Sequence, residues 1–305
     1  MRSVELGNTG LRVPAVGLGC MRLTNLERRE IPGYISHCVS LGVDFFDHSD
    51  IYAGGECERL FGEGLKESKI PRDSVIIQSK CGIVPGVMYD MSYEYIIRAV
   101  DGILDRLGTD YLDVLLLHRP DALTEPEEVA RAFDELERSG KVRHFGVSNH
   151  KPSQIELLKK CVKQELCVDQ LQFSIPFSNM ISGGMEANMF TDGAVDRSGD
   201  VLNYCRLNNV TVQAWSPFQG RNGVFIDDNG GYPDLNWALG ELSAKYNVTK
   251  STIAAAWILR HPADMQVIAG TMNRQRMSEI ARAADIRLTR EEWYRLYLSA
   301  GHILP

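Results

Sequence analysis

Asp47, Tyr52, Lys80 and His118 are an acid, a phenol, an amine and an imidazole, and each stands at or just beyond the end of a short apolar run. An isolated Asp or Lys in such a place is usually a solvated cap, and a lone His is more often a satisfied structural residue. As a set, the four suit carbonyl reduction or its reverse, provided the fold brings them together. A phenol has an ordinary pKa near about 10, and a neighbouring Lys80 ammonium is expected to lower it by favouring the phenolate. Asp47 would keep Lys80 charged and aimed, Tyr52 would donate the proton, and His118 would orient the carbonyl. None of these groups can supply a hydride, so a reductive reading requires a nicotinamide cofactor.

Eight apolar runs carry these residues, at 15–19, 43–47, 75–80, 113–118, 144–149, 168–173, 210–215 and 266–270. Most lack strict alternation and are rich in Val, Ile, Leu and Phe, as strands buried on both faces of a parallel sheet should be. Helical patterns separate them. From Ser92 to Leu107, Ile96, Val100, Ile103, Leu104 and Leu107 recur at three and four before Gly108, and Pro126 to Gly140 opens on Pro and ends on Gly. Further helices are expected at 27–41, 56–67, 152–163, 198–208, 234–246, 250–260, 274–284 and 290–300.

Alternation of this kind predicts an α/β fold, a closed (β/α)8 TIM barrel forming a single domain over 1–305, with extra C-terminal helices. Ser3 to Leu6 and Leu11 to Pro14, around Gly7-Asn8-Thr9-Gly10, predict an N-terminal β-hairpin. The alternative is an open doubly wound sheet, but Gly17 to Arg22 breaks the dinucleotide fingerprint at its last position. In a barrel, the C-terminal strand ends form one rim, which is where the four polar residues fall. Irregular stretches at 174–197 and 216–233, after the sixth and seventh runs, are long enough to be functional loops.

The chain has 305 residues, 44% hydrophobic and 24% charged, which excludes disorder and fibre. Its 33 basic and 40 acidic residues leave a net charge of -7, a poor match for nucleic acid or an anionic membrane surface. The seven cysteines are scattered with no C-x-x-C pair, so neither a disulfide framework nor a thiolate zinc site is indicated and a reducing cytoplasm fits. No apolar stretch is long enough to span a bilayer.

Gly270-Thr271-Met272-Asn273 leads into a helix carrying Arg274 and Arg276, where backbone N–H groups, helix dipole and guanidinium suit an anion such as a cofactor phosphate. Asn149 and Gln170 can pair with a carboxamide, and Trp215 can stack on a flat ring.

Over nearly its whole length the chain resembles the aldo-keto reductases. The resemblance rests on LGNTGLRVPAVGLGCM, DFFDHSDIYAGGECE, IIQSKCG, DVLLLHRPD, SGKVRHFGVSN, QAWSPFQG and VIAGTMNRQRMSEI. DHSDIY, HRPD and AWSP look closest to a bacterial, YdhF-like branch. The resemblance implies a catalytic tetrad of Asp47, Tyr52, Lys80 and His118, with Tyr52 as general acid. It implies that Ser148, Asn149 and Gln170 hold the nicotinamide carboxamide and that Trp215, where the family more often has tyrosine, stacks on the ring. Gly19, Met21 and Asp47 would also touch the cofactor. Ser216, Phe218 and Gly220 would follow the pyrophosphate, while Gly270, Thr271, Met272, Arg276 and Glu279 would hold the adenosine end, Arg276 on a 2′-phosphate. NADP is therefore implied, with NADPH preferred over NADH, and a monomer or weak homo-oligomer acting on a small carbonyl compound.

Two positions depart from the family. Ile280 replaces an asparagine that contacts adenine, and His48 stands where threonine is common, most simply as packing behind the rim. Cys57 and Cys81 read as small hydrophobes, with redox sensitivity the alternative. Two other functions fit the same barrel: a Schiff-base aldolase or lyase using Lys80, and a nicotinamide-binding sensor or partner subunit.

Overall fold

The computed structural model describes residues 1–185, 201–226 and 231–302. Eight parallel strands close into a barrel: β1 (Val16–Gly19), β2 (Phe45–Asp47), β3 (Ile76–Cys81), β4 (Leu112–Leu117), β5 (Val142–Ser148), β6 (Leu166–Gln172), β7 (Thr211–Trp215) and β8 (Gln266–Ala269). Closure is made where Val267 of β8 pairs with Val16 of β1. All residues of β1, β2 and β4 are buried, which is why those runs are apolar without alternation. The fold is the predicted (β/α)8 barrel.

Local chemistry sets the helix ends. Ser92 accepts a hydrogen bond from Tyr95 N to start Tyr93–Leu107, and Gly108 ends it at φ +62°, a left-handed position that glycine adopts without a Cβ clash. Pro126–Arg138 closes with Gly140 N donating to Glu137 O and Lys141 N to Leu136 O, the paired bonds of a Schellman turn. Its buried face sets Phe133 against Phe145 of β5, ring centroids 4.2 Å apart.

The N-terminal hairpin pairs Ser3–Glu5 with Arg12–Pro14 and lies across the start of β7, Gly7 N–H donating to Thr211 Oγ1 at 2.9 Å. At the other end of the chain, helix Arg290–Ser299 stacks Trp293 on Trp257 at 4.7 Å, and each indole N–H donates to the other's carbonyl oxygen. The stretches expected to be irregular hold short elements instead: helix Asn179–Met185, and a hairpin of Gln219–Gly220 with Gly223–Val224. Two-residue strands are too short to show a period. Residues 186–197 and 227–230 of those stretches, and the first residues of the helix expected at 198–208, lie outside the described residues. No helix among the described residues is long and apolar enough to cross a membrane.

The barrel interior is not uniformly apolar. Gln213 Oε1 accepts from Gln78 Nε2 at 2.8 Å and from Gln170 Nε2 at 3.1 Å, Gln213 Nε2 donates to Gln266 Oε1 at 2.7 Å, and Gln266 Nε2 donates to Pro14 O at 2.9 Å. This string of amides runs from the hairpin to the rim, where Gln78 and Gln170 both reach Asp47.

Candidate active site

β2, β3 and β4 deliver Asp47, Lys80 and His118 to one rim, His118 being the residue directly after β4. Tyr52 returns to them through a tight turn, Tyr52–Gly55, in which Ala53 and Gly54 take φ of +50° and +65°. Left-handed backbone at a non-glycine residue costs of order 1 kcal/mol and is retained where geometry demands it. The turn brings the Tyr52 ring centroid to 5.0 Å from Lys80 Nζ.

Lys80 Nζ donates to Asp47 Oδ1 and Oδ2 at 2.8 Å each, to His48 O at 2.7 Å and to the Tyr52 hydroxyl at 3.2 Å. Lys80 and Asp47 are buried. Asp47 Oδ1 also accepts from Gln78 at 2.7 Å and Gln170 at 3.1 Å, so its carboxylate is held from two sides. Tyr52 and His118 meet edge to face at 6.2 Å.

Burial works against the Lys80 ammonium, but Asp47 and Tyr52 more than offset it, and the lysine pKa moves up. The phenol departs from the expectation drawn from spacing. Burial raises the Tyr52 pKa, and the opposing pull of Lys80 does not reverse that rise. Tyr52 is thus a firmly protonated phenol beside a cation that would stabilise its conjugate base. His118 is pushed down to about 3 by burial and by the charges of Lys80 and Arg119, so its ring is neutral at physiological pH.

A cavity of about 860 Å³ is walled by Tyr52, His118 and Asp47 together with Trp215, Gln170 and Arg276. Gly19, Met21, Ser148, Asn149, Ser216, Phe218, Gly270, Thr271 and Met272 also line it. Lys80 stands behind this wall. Gly220 and Glu279 are not on it: a Cβ on Gly220 would meet the Tyr232 ring at 2.6 Å, and Glu279 Oε1 accepts from Gln275 at 3.0 Å.

Asn149 is largely engaged within the protein. Its Nδ2 donates to Ser148 Oγ at 2.8 Å and to His118 O at 3.4 Å, and its Oδ1 accepts from Trp215 Nε1 at 3.3 Å. Ser148 Oγ in turn donates to Gln170 O at 2.8 Å. The Gln170 side-chain oxygen is the carboxamide partner left without a bond among the described residues. Asn149 and Ser216 hold φ of +59° and +49°, two left-handed positions next to strand ends.

Ile280 is buried in the core. His48 is fully buried with its ring 4.6 Å from Phe61, and burial takes its pKa to about 3. Burial likewise raises the Cys57 and Cys81 thiols, which fits small hydrophobes rather than reactive thiolates. All seven cysteines are free.

The wall also contains residues that sequence reasoning missed: Arg22, Arg119 and Ser251. Arg119 sits in HRPD beside His118 and was within reach of a motif argument. Ser251 belongs to helix Lys250–Leu259, far from any strand end, and carries no local signal.

Fold and site define a parallel eight-stranded α/β barrel with its buried ion pair, phenol and imidazole gathered at the C-terminal rim. The chain belongs to the aldo/keto reductase family, whose profile matches residues 15–297. It is 34% identical to a 6-dehydroglucose reductase of Agrobacterium fabrum, over 87% of this chain and 86% of that protein. It is 33% identical to the oxidoreductase YdhF of Escherichia coli, over 92% of this chain and 91% of that one, in agreement with the branch suggested by its motifs. A solved aldo/keto reductase of Klebsiella pneumoniae in complex with NADP and acetate matches with a TM-score of 0.77 at 25% identity, covering 99% of this chain and 96% of that chain.

Proposed function

We propose that the protein is an NADP-dependent reductase of aldehyde or ketone carbonyls, working as a single-domain enzyme on a small substrate in a reducing cytoplasm. The observation that carries this reading is the Tyr52 hydroxyl, bonded to a buried ammonium at 3.2 Å on the wall of a cavity it shares with a neutral imidazole. Tyr52 keeps its proton at neutral pH, and Lys80 stabilises the phenolate as that proton leaves for the carbonyl oxygen. Asp47 holds the ammonium charged and aimed, and His118 orients the same oxygen.

The donor set suits a nicotinamide dinucleotide. Gln170 offers a carbonyl oxygen to a carboxamide, half-buried Trp215 offers an indole face, and the N-terminus of helix Arg274–Ala281 with Arg276 offers an anion site. When bound, the reduced cofactor supplies the hydride. NADP bound to the Klebsiella relative supports the preference for the phosphorylated form, as does Arg276, whose guanidinium has no carboxylate partner among the described residues. The Schiff-base alternative is disfavoured because Lys80 is buried, raised in pKa and engaged as a donor on all sides, which leaves no free amine to attack a carbonyl.

Tyr52→Phe removes the proton donor and keeps the ring. NADPH consumption over a panel of aldehydes, ketones and quinones should fall by about 10²- to 10⁴-fold in the variant, with NADPH binding retained. Equal turnover in the two proteins would overturn the assignment of Tyr52.

A further inference from the structure

Directly behind His118 lies a residue pair that the tetrad does not use. Ser49 is fully buried, its Oγ 3.0 Å from His118 Nδ1 and 3.2 Å from Asp50 Oδ1. Ser49 is the hydrogen-bond partner of that ring nitrogen among the described residues. Two longer contacts complete its surroundings: Lys80 O at 3.4 Å, which also accepts from Asp50 N at 3.1 Å, and Ile51 N–H, which donates to Ser49 Oγ at 3.5 Å.

A hydroxyl carries one hydrogen, so the chain from Asp50 through Ser49 to His118 has two complete arrangements. With Asp50 ionised, Ser49 donates to Oδ1 and accepts from an Nδ1–H imidazole, which leaves a lone pair on Nε2. With Asp50 protonated, its O–H donates to Ser49, Ser49 donates to Nδ1, and the ring hydrogen resides on Nε2. The exchange takes up one proton in all: a proton from cavity water adds to Nε2 as the Nδ1 hydrogen passes to Ser49 Oγ and the Ser49 hydrogen passes to half-buried Asp50, which reverses the two hydrogen bonds. Nothing is oxidised or reduced.

We propose that Asp50 and Ser49 are positioning residues whose relay decides whether His118 offers the cavity a donor, suited to a carbonyl oxygen, or an acceptor, suited to an alcohol hydroxyl. The proposal deepens the reductase reading and rests on it for its functional half. Protonation would then bias the site toward reduction, and ionisation toward oxidation.

The charges around the relay are consistent with a switch near neutrality. Burial pushes the Asp50 carboxyl up to about 6, against Arg106 from helix Tyr93–Leu107 and Lys80 from β3. Glu58 from helix Glu56–Ser68, Cys81 from β3 and Tyr95 also face it. Because His118 is pushed down to about 3, its ring stays neutral on both sides of that transition and changes tautomer rather than charge. Glu58, also raised by burial to about 6, titrates in the same range, so a variant at Asp50 is needed to separate the two.

The test is ¹⁵N NMR of the full chain labelled at histidine, recorded at pH 5 and pH 8 without substrate, with His118 assigned by its loss in His118→Gln. The expected result is an Nε2–H ring at pH 5 and an Nδ1–H ring at pH 8, with no switch in Asp50→Asn or Ser49→Ala and a retained switch in Ser49→Thr. A wild-type ring that keeps one tautomer at both pH values, or a switch that persists in Asp50→Asn, overturns the relay. If Ser49→Ala does not fold, the wild type and Asp50→Asn still decide. In turnover, the ratio of reduction to oxidation should fall from pH 5 to pH 8 by roughly tenfold more in the wild type than in Asp50→Asn; equal falls overturn the coupling to catalysis. A tautomer switch without turnover on any carbonyl would keep the relay and remove the reductase reading.

Discussion

Lys80→Met tests how strongly the site depends on its buried ion pair. The Lys80 ammonium contacts both Asp47 oxygens at 2.8 Å, and both side chains are buried. Methionine fills similar space and leaves the carboxylate with the amides of Gln78 and Gln170 as its remaining donors. Removing one partner of a buried pair costs about 3–5 kcal/mol because the other charge stays desolvated. At roughly 2–4 °C per kcal/mol, the expected fall in Tm is about 6–20 °C. Asp47→Asn in the same background removes the stranded charge and keeps an acceptor for the two amides, so the double variant should recover most of the loss. Reduction should stay low in both, since nothing then pulls the phenol toward phenolate. The assay is calorimetric unfolding of the wild type, both single variants and the double variant at pH 7, read as a double-mutant cycle. A Tm loss under about 2 °C for Lys80→Met, or purely additive effects, would refute this account of the pair.

Arg276→Ala should weaken NADPH binding by about tenfold or more, the worth of a charged hydrogen bond, and change NADH binding little; cofactor fluorescence titration gives both, and equal losses would reassign the arginine. Asp169, buried on β6, is raised by burial from 3.8 to about 8. Between those values the folded protein holds a proton that the unfolded chain releases, so stability declines as pH rises through the window, by up to about 1.4 kcal/mol per unit. Asp169→Asn should therefore flatten the dependence of Tm on pH between 5 and 8, and an unchanged slope would show that another group controls it.

The eight runs that became strands were legible because a strand covered on both faces must be apolar along its length, and periodicity needs no knowledge of neighbours. The observed ends differ by at most two residues, as with β2, expected at 43–47 and found at Phe45–Asp47. The hairpin Gln219–Gly220 with Gly223–Val224 was not legible, because its turn geometry rather than any pattern creates it. Asp47, Tyr52, Lys80 and His118 were legible for a simple reason: each interrupts or follows an apolar run with a group that has no packing role there.

The sequence by itself thus determined which elements form, which strand ends carry ionisable groups, and the family to which the chain belongs. Tertiary structure decided how those groups act on one another. Gln78, Gln170, Gln213 and Gln266 lie on four strands, and barrel closure alone places their amides within hydrogen-bond reach. The sign of the Tyr52 shift is a contest between burial and the Lys80 charge, which spacing along the chain cannot weigh. Ser49 meets His118 across 69 positions of sequence. Secondary structure follows from neighbours along the chain, whereas desolvation, Coulomb attraction and hydrogen-bond reach depend on distances through space that exist once the barrel has closed.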